Sequence, residues 1–302
     1  MPIANKLRRL DELSSLVPPD ATVALGGAWF ANHPMAAVRQ LLRDGRRDLR
    51  LVALLGSIDV DLMVAAGAVR HLTFGMVSMD ALGLPVHFRR AVQQGDLPIT
   101  ELSSITLQIA IDAAGRNIPC LPFSGPRGSD LVARHPEAVA TIPSPFDGRE
   151  TMVVKALPVD VAVVHATRCD DLGNAQFDGT YAQDPEVAKA ASVVIVTCEE
   201  VVSREQIQAT SAQTKIPGFL VDAVVEVPFG AHPCSHVPRY GLDAWELLAY
   251  QRLALAAGDD MAAYLDRLLH ETEDQYRQRV LAGDRGPVLE ALVDAAPVLV
   301  DR

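Results

Sequence analysis

Residues 22–45 read TVALGGAWFANHPMAAVRQLLRDG. Thr22 to Leu25 is a short, apolar, β-branched run that stops at Gly26-Gly27. Met35 to Arg43 reads as a helix, with Pro34 near its start and Gly45 just past its end. Strand, glycine turn and helix in immediate succession form one unit of an α/β fold.

The alternation continues outward. Leu49 to Leu55 predicts a strand, Asp59 to Ala66 a helix closed by Gly67, and Val69 to Val77 a strand. Pro85 to Gln94 and Ser103 to Ala114 predict helices closed by Gly95 and Gly115. Ser103 or Ser104 is placed to cap the second. Pro119 to Pro145 is rich in Gly and Pro and reads as a loop region with a short helical piece. Strands are expected over Met152–Leu157, Val159–His165, Ala191–Cys198 and Phe219–Val227, with a short helix over Ser203–Thr210. The near-continuous apolar run from Ala191 suits a strand buried on both faces. After Gly241 the pattern turns helical: Asp243–Ala257, Met261–Leu281 and Pro287–Asp294. The fold class is α/β, an open, largely parallel sheet flanked by helices with a helical C-terminal segment. Residues 1–245 form the α/β domain and residues 246–302 a helical extension packed on it.

The chain has 302 residues, with 49% hydrophobic and 22% charged. Length alone suggests about two domains; the pattern favours one large domain and a tail. With 27 basic against 38 acidic residues, the net charge is -11. That sets aside nucleic acid and anionic membrane as partners. No apolar run has signal-peptide or membrane-spanning length, so a cytoplasmic location is expected. Cys120, Cys169, Cys198 and Cys234 form no CxxC pair and read as reduced structural thiols. His232, Cys234 and His236 have alternating spacing that could turn two ligands to zinc, but no fourth ligand lies nearby.

Ligands in open α/β sheets bind beyond the carboxyl ends of strands. Three loops qualify: Gly26–Pro34, Asp170–Gln176 and Pro228–Gly241. Gly26-Gly27 offers backbone donors for an oxyanion, or is simply a tight turn, and it lacks the spacing of a dinucleotide fingerprint. Asp171-Leu172-Gly173-Asn174 is a turn signal. His33, His165 and His232 lie at or near strand ends, as general bases or as hydrogen-bonded loop histidines. Gly-x-Ser-x-Gly does not occur. Glu101 precedes a helix start, which capping and the helix dipole also explain. Glu199 and Glu200 end a buried strand, a place for catalytic acids; a solvated pair is the plainer account. Phe88-Arg89-Arg90 is a locally basic helix, either an exposed face or a seat for an anion.

Taken in order, five segments resemble the A (α) chain of family I CoA-transferases, glutaconate CoA-transferase in particular. They are VALGGAWFANHPMAAVRQLLR, LGLPVHFRRAVQQGDLPITELSSITL, AAGRNIPCLPFSGPRGSDL, HATRCDDLGNAQFDG and VDAVVEVPFGAHPCSHVPRYGLD. The resemblance runs over roughly residues 6–245 and implies the family's open α/β sheet. It also implies a CoA-transferase B (β) subunit as partner, in a heterodimer or heterotetramer, that carries the nucleophilic Glu. This chain has no Glu-x-Gly segment, as befits an α subunit. CoA esters are implied as substrates, with no permanently bound cofactor and no metal. Gly26, Gly27, Ser78, Ser103 and Ser104 would form the substrate and oxyanion pocket, with Glu101 and Ser104 as catalytic candidates. Gly173, Asn174, Gly230 and His232 would shape the face toward the β subunit. The chain is also similar to the α subunit of the steroid-degradation CoA-ring hydrolase, whose proposed catalytic Glu aligns at or beside Ser104. A ligand-binding protein that kept the fold and lost its chemistry is the third reading.

Overall fold

The elements follow from how apolar residues are spaced. In a computed structural model, which describes residues 5–125, 128–256 and 258–282, the first half runs β1 (Thr22–Leu25), α1 (Met35–Arg43), β2 (Leu49–Gly56), α2 (Ile58–Ala65), β3 (Val69–Val77), α3 (Val86–Gln94), β4 (Ile99–Glu101) and α4 (Ser104–Gly115). Next come β5 (Cys120–Phe123), α5 (Asp130–Arg134), β6 (Val139–Pro143) and β7 (Glu150–Lys155). The rest is β8 (Val159–Cys169), β9 (Ala175–Gln176), α6 (Asp184–Ala190), β10 (Ala191–Val201), α7 (Arg204–Ala209), β11 (Thr214–Ile216), β12 (Ala223–Glu226), α8 (Ala244–Ala256), α9 (Asp259–His270) and α10 (Glu273–Ala282).

The strands β12-β10-β8-β1-β2-β3-β4 are all parallel, and β9 and β11 add short antiparallel pieces beside the end of β8. β8 shows why the sheet is covered on both faces. Val161 and Val163 are fully buried toward α1, α2 and the C-terminal helices, while Ala162, Val164 and Ala166 are fully buried toward α4 and α6. Period-two alternation with apolar residues on both sides leaves no face for water. Each buried valine contributes about 1.5–3 kcal/mol.

The C-terminal helices pack on the α1–α2 face through Leu247, Tyr250, Tyr264, Leu268 and Tyr276. Their strongest anchor is polar. Buried Arg39 of α1 pairs with Glu273 of α10, donates 2.8 Å to the His232 carbonyl and lies 3.8 Å from the Tyr276 ring centroid.

Several sequence expectations are corrected. Pro119–Pro145 is not loop: β5 and β6 flank β7 in an antiparallel three-stranded sheet. Pro122 and Pro143 sit on its two edge strands, where a missing N–H breaks no ladder. Met261–Leu281 is two helices, α9 and α10, divided at Glu271-Thr272. Thr272 N donates to Gln275 Oε1 at 2.7 Å and Gln275 N to Thr272 Oγ1 at 3.2 Å, a capping box that starts a new helix. Phe219–Val227 is strand only over β12, since Gly218–Leu220 is a 3-10 turn. The helix expected over Pro287–Asp294 lies outside the described residues. Among the described residues, no helix is long and apolar enough to cross a membrane.

Candidate functional site

β4 is short. It pairs with β3 only from Leu72 to Phe74, and β3 runs on through Gly75, Met76 and Val77. Beyond the end of β4 this leaves a cavity of about 620 Å³ between β3, α3 and the start of α4. Apolar side chains such as Phe74, Met76, Leu84 and Val92 form its walls, and Arg89, Glu101, Ser103 and Ser104 supply its polar groups. Its volume falls within the roughly 300–1,000 Å³ usual for small-molecule sites. Gly75 is required here, because a Cβ would stand 2.7 Å from the Leu54 carbonyl and 2.8 Å from Ser104 Cα.

Ser103 is the cap of α4, its Oγ accepting from Thr106 N at 3.1 Å. Ser104 is thereby placed as the first helical residue, at the cavity wall. Neither the Glu101 carboxylate nor the Arg89 guanidinium has an ion-pair or hydrogen-bond partner among the described residues. Within Phe88-Arg89-Arg90, Phe88 is buried edge-on against Phe74 and Arg90 donates to the Ala254 and Leu255 carbonyls at the end of α8. Phe88 and Arg89 both line the cavity, Arg89 as its one basic side chain among the described residues.

The other expected pocket residues lie along the same carboxyl edge but outside this cavity. Ser78 N donates to Gly56 O at 3.0 Å, and its Oγ accepts from Asp80 N. Gly26 N donates to Val163 O at 2.9 Å and Gly27 N to Asp184 Oδ1 at 2.8 Å. The expectation that these two glycines turn backbone donors to an oxyanion is therefore corrected: both N–H groups are used within the chain. The glycines are needed for another reason. Gly27 has φ +86°, and a Cβ on Gly26 would stand 2.6 Å from Asp184 Oδ1. Asp184 is 1% exposed, and burial pushes its carboxyl up to about 7 against the opposing Gly27 N–H and His33.

The loop that follows is bolted from below. His33 Nε2 donates to the Trp29 carbonyl at 2.8 Å, and its Nδ1 lies 3.0 Å from Asp59 Oδ2. Burial disfavours charge on His33, yet Asp59 outweighs it and raises the imidazole above its usual value. Trp29, half exposed at φ +52°, is held in a conformation that L residues avoid.

At the other end of the sheet, Glu199 overturns the reading of a solvated pair. It is 9% exposed. Oε1 accepts from His165 Nε2 at 2.7 Å, Tyr240 Oη at 2.6 Å and Gly230 N at 3.2 Å, and Oε2 accepts from Phe229 N at 2.9 Å. Burial raises its carboxyl, but the His165 hydrogen bond and charge, His236 and Tyr240 hold it at about 2. Glu200 turns outward to Arg239 and Arg168. Sequence reasoning missed Asp184 and the Glu199–Tyr240 pair. The available signal for Glu199 was a buried strand running straight into a carboxylate.

The loops expected to face the β subunit are anchored within the chain. Gly173 and Gly230 are buried, the first under Val221 and the second against His165. Asn174 donates to Asp170 Oδ2 and accepts from Gly218 N, both at 2.8 Å. His232, 1% exposed, meets Tyr276 Oη at 2.8 Å and Asp243 at 3.2 Å. None of His33, His165 and His232 lines the cavity, and all three are buried. His236 Nε2 contacts Thr167 Oγ1, and burial plus nearby His165 press the imidazole down to about 3. Among the described residues, no group of three or more His, Cys, Asp or Glu is arranged to hold a metal.

Residues 8–227 match the family described as Coenzyme A transferase. A protein of Archaeoglobus fulgidus is 32% identical over 93% of this chain, which spans 63% of that longer protein. The α (A) chain of the 3-oxoadipate CoA-transferase of Pseudomonas knackmussii is 30% identical, over 93% of this chain and all of that one. The cholesterol ring-cleaving hydrolase IpdA subunit of Rhodococcus jostii is 32% identical, over 78% of this chain and 82% of that one. Among solved structures, glutaconate coenzyme A-transferase from Acidaminococcus fermentans superposes with a TM-score of 0.86 at 28% identity, over 91% of this chain and 92% of that one.

Proposed function

The chain belongs to the coenzyme A transferase family, and from that premise we propose that it is the α subunit of a cytoplasmic, two-subunit enzyme that moves CoA between an acyl-CoA and a free carboxylic or dicarboxylic acid. In this reading a Glu of the β subunit, acting as nucleophile, adds to the thioester carbonyl and expels CoA thiolate, leaving a mixed anhydride. The thiolate then attacks the glutamyl carbonyl, releasing the first acid and forming a glutamyl-CoA thioester. A second acid runs the steps in reverse. The present chain supplies the wall that binds and orients the acid.

The observation that carries the reading is the cavity beyond β4, which gathers Glu101, Ser103 and Ser104 from the end of one element and the start of the next. In this reading Ser104 Oγ, at the start of α4 and lining the cavity, would stabilise the oxyanion. The similarity to a hydrolase subunit supports a second reading, in which water replaces the acceptor acid. Position 104 carries Ser rather than a carboxylate, and Glu101 is the one carboxylate lining the cavity among the described residues.

The test is co-expression with a β-type chain that carries a Glu-x-Gly segment, followed by exchange of labelled CoA between acyl-CoA and a panel of free acids. Exchange that depends strictly on a second carboxylate supports transfer. CoA-ester consumption with water alone assigns the hydrolase instead. A chain that binds no β subunit, and that runs alone with a bound anion, is the non-catalytic protein.

A further inference from the structure

We propose that His135 is a positioning residue for the reaction: its neutral imidazole ties down the open edge of β4 and so holds the Glu101 carboxylate at the cavity. The inference rests on the CoA-transfer reading for the task of Glu101, and it adds the group that aims it.

Glu101 stands at a weak point of the sheet. It ends β4, a short strand that is the outermost on its side. Just before β4, Pro98 O accepts from Leu72 N at 3.1 Å; just after it, Leu102 N donates to Phe74 O at 3.0 Å. Successive amides of a strand point to opposite sides, so Glu101 N points away from β3. On that side the sheet has no further strand among the described residues.

A side chain meets that amide instead. Glu101 N donates to His135 Nε2 at 3.2 Å. A backbone N–H can only donate, so Nε2 carries no proton and the imidazole is neutral, with its proton on Nδ1. Glu137 Oε1 lies 3.2 Å from Nδ1, accepts its N–H and fixes this tautomer.

His135 is itself firmly mounted. Its side chain is 13% exposed. Its carbonyl accepts from Ala138 N at 3.0 Å and Val139 N at 3.1 Å, which joins it to β6 of the small sheet. Thr100, the residue before Glu101, also meets an imidazole: His71 Nε2, from β3, lies 3.0 Å from its Oγ1. The end of β4 is thus fixed by two histidines, of which only His135 bonds the backbone of Glu101 itself. Such fixing matters because misplacing a reacting group by about 1 Å costs on the order of a hundredfold in rate. Removing the imidazole leaves the Glu101 amide to water and the end of β4 free to shift.

The experiment uses the two-chain complex with the β subunit, read by CoA-exchange kinetics and by amide hydrogen exchange. His135→Ala is expected to lower kcat about tenfold, with KM for acyl-CoA within about twofold of wild type. His135→Gln, whose amide oxygen takes the place of Nε2, restores most of the rate. In a Glu101→Gln background His135→Ala costs no more than about twofold, since no carboxylate is left to aim. The Glu101 amide is protected from exchange in the wild type and in His135→Gln, and loses that protection in His135→Ala. Equal losses of kcat in the two backgrounds, or a His135→Gln as slow as His135→Ala, overturn the proposal and make His135 a structural residue only. Fast exchange of the Glu101 amide in the wild-type complex overturns it whether or not the variants fold. Failure of the transfer reading looks different: the wild-type complex exchanges no CoA with any acid, while the His135-dependent protection of Glu101 persists.

Discussion

Two carboxylates sit at carboxyl ends of the same parallel sheet and have opposite environments. Glu199, at the end of β10, receives hydrogen bonds from an imidazole, a phenol and two backbone amides. Glu101, at the end of β4, has a cavity in front of it, and its carboxylate has no partner among the described residues. A fully satisfied buried charge holds structure together, and removing it strands its donors. An unsatisfied charge beside a cavity contributes little to stability and is free to meet a substrate. Nearness to a strand end does not separate the two roles; the count of partners does.

The contrast is tested most severely at Glu199. Glu199→Ala leaves His165, Tyr240 and the Phe229-Gly230 backbone without their acceptor, and is expected to destabilise the chain by about 3–5 kcal/mol in urea unfolding. Because its folded carboxyl is held below the usual 4.5, near about 2, the stabilisation is fully present above pH 4.5. It is lost as pH falls through that window. A variant as stable as wild type at pH 7 would move Glu199 out of the structural class.

Asp184 tests the intermediate case, one oxygen satisfied and one not. Oδ1 accepts from Gly27 N, whereas Oδ2 is buried without a hydrogen bond. Its folded carboxyl sits at about 7, against 3.8 when unperturbed. A raised carboxyl contributes stability that is present below pH 3.8 and is lost as pH rises toward 7. Asp184→Asn keeps the acceptor for Gly27 and removes the ionisation. Thermal unfolding at pH 8 is expected to show the variant more stable by about 1–3 kcal/mol, with the difference shrinking toward pH 4.

How much of this was legible follows from the range of the signals. β8 and β10 were readable because a strand buried on both faces needs only local apolar residues. Ser103 was readable as a cap because capping involves residues three apart. The division of α9 from α10 was also written locally, in Thr272 and Gln275, and was overlooked under a continuous helical period. Glu199 was readable as a carboxylate at the end of a buried strand, but its partners were not: they are Tyr240, 41 residues away, and His165, 34 residues away. The inward packing of the Gly230 loop was hidden for the same reason, since Arg39 and Tyr276 close it from opposite ends of the chain.

Ser103→Ala separates the cap from the cavity it borders. The change removes the acceptor for Thr106 N and is expected to lower stability by about 1 kcal/mol. Ser103→Asn restores a capping oxygen, so it recovers the melting temperature. Any loss of exchange activity that persists in Ser103→Asn belongs to the cavity and not to the helix start.

Glu101→Gln carries the smallest expected change in stability, within about 0.5 kcal/mol, because no buried partner is stranded. The same substitution removes a charge from the wall of the cavity, and CoA exchange by the assembled enzyme is expected to fall about tenfold or more. The two readouts must diverge: Glu199→Ala loses the fold first and activity with it, whereas Glu101→Gln loses activity from a chain that melts where the wild type does. If Glu101→Gln instead lowers the melting temperature in step with activity, Glu101 has structural partners in the assembled enzyme. The division between satisfied and unsatisfied carboxylates would then fail at the site where it matters most.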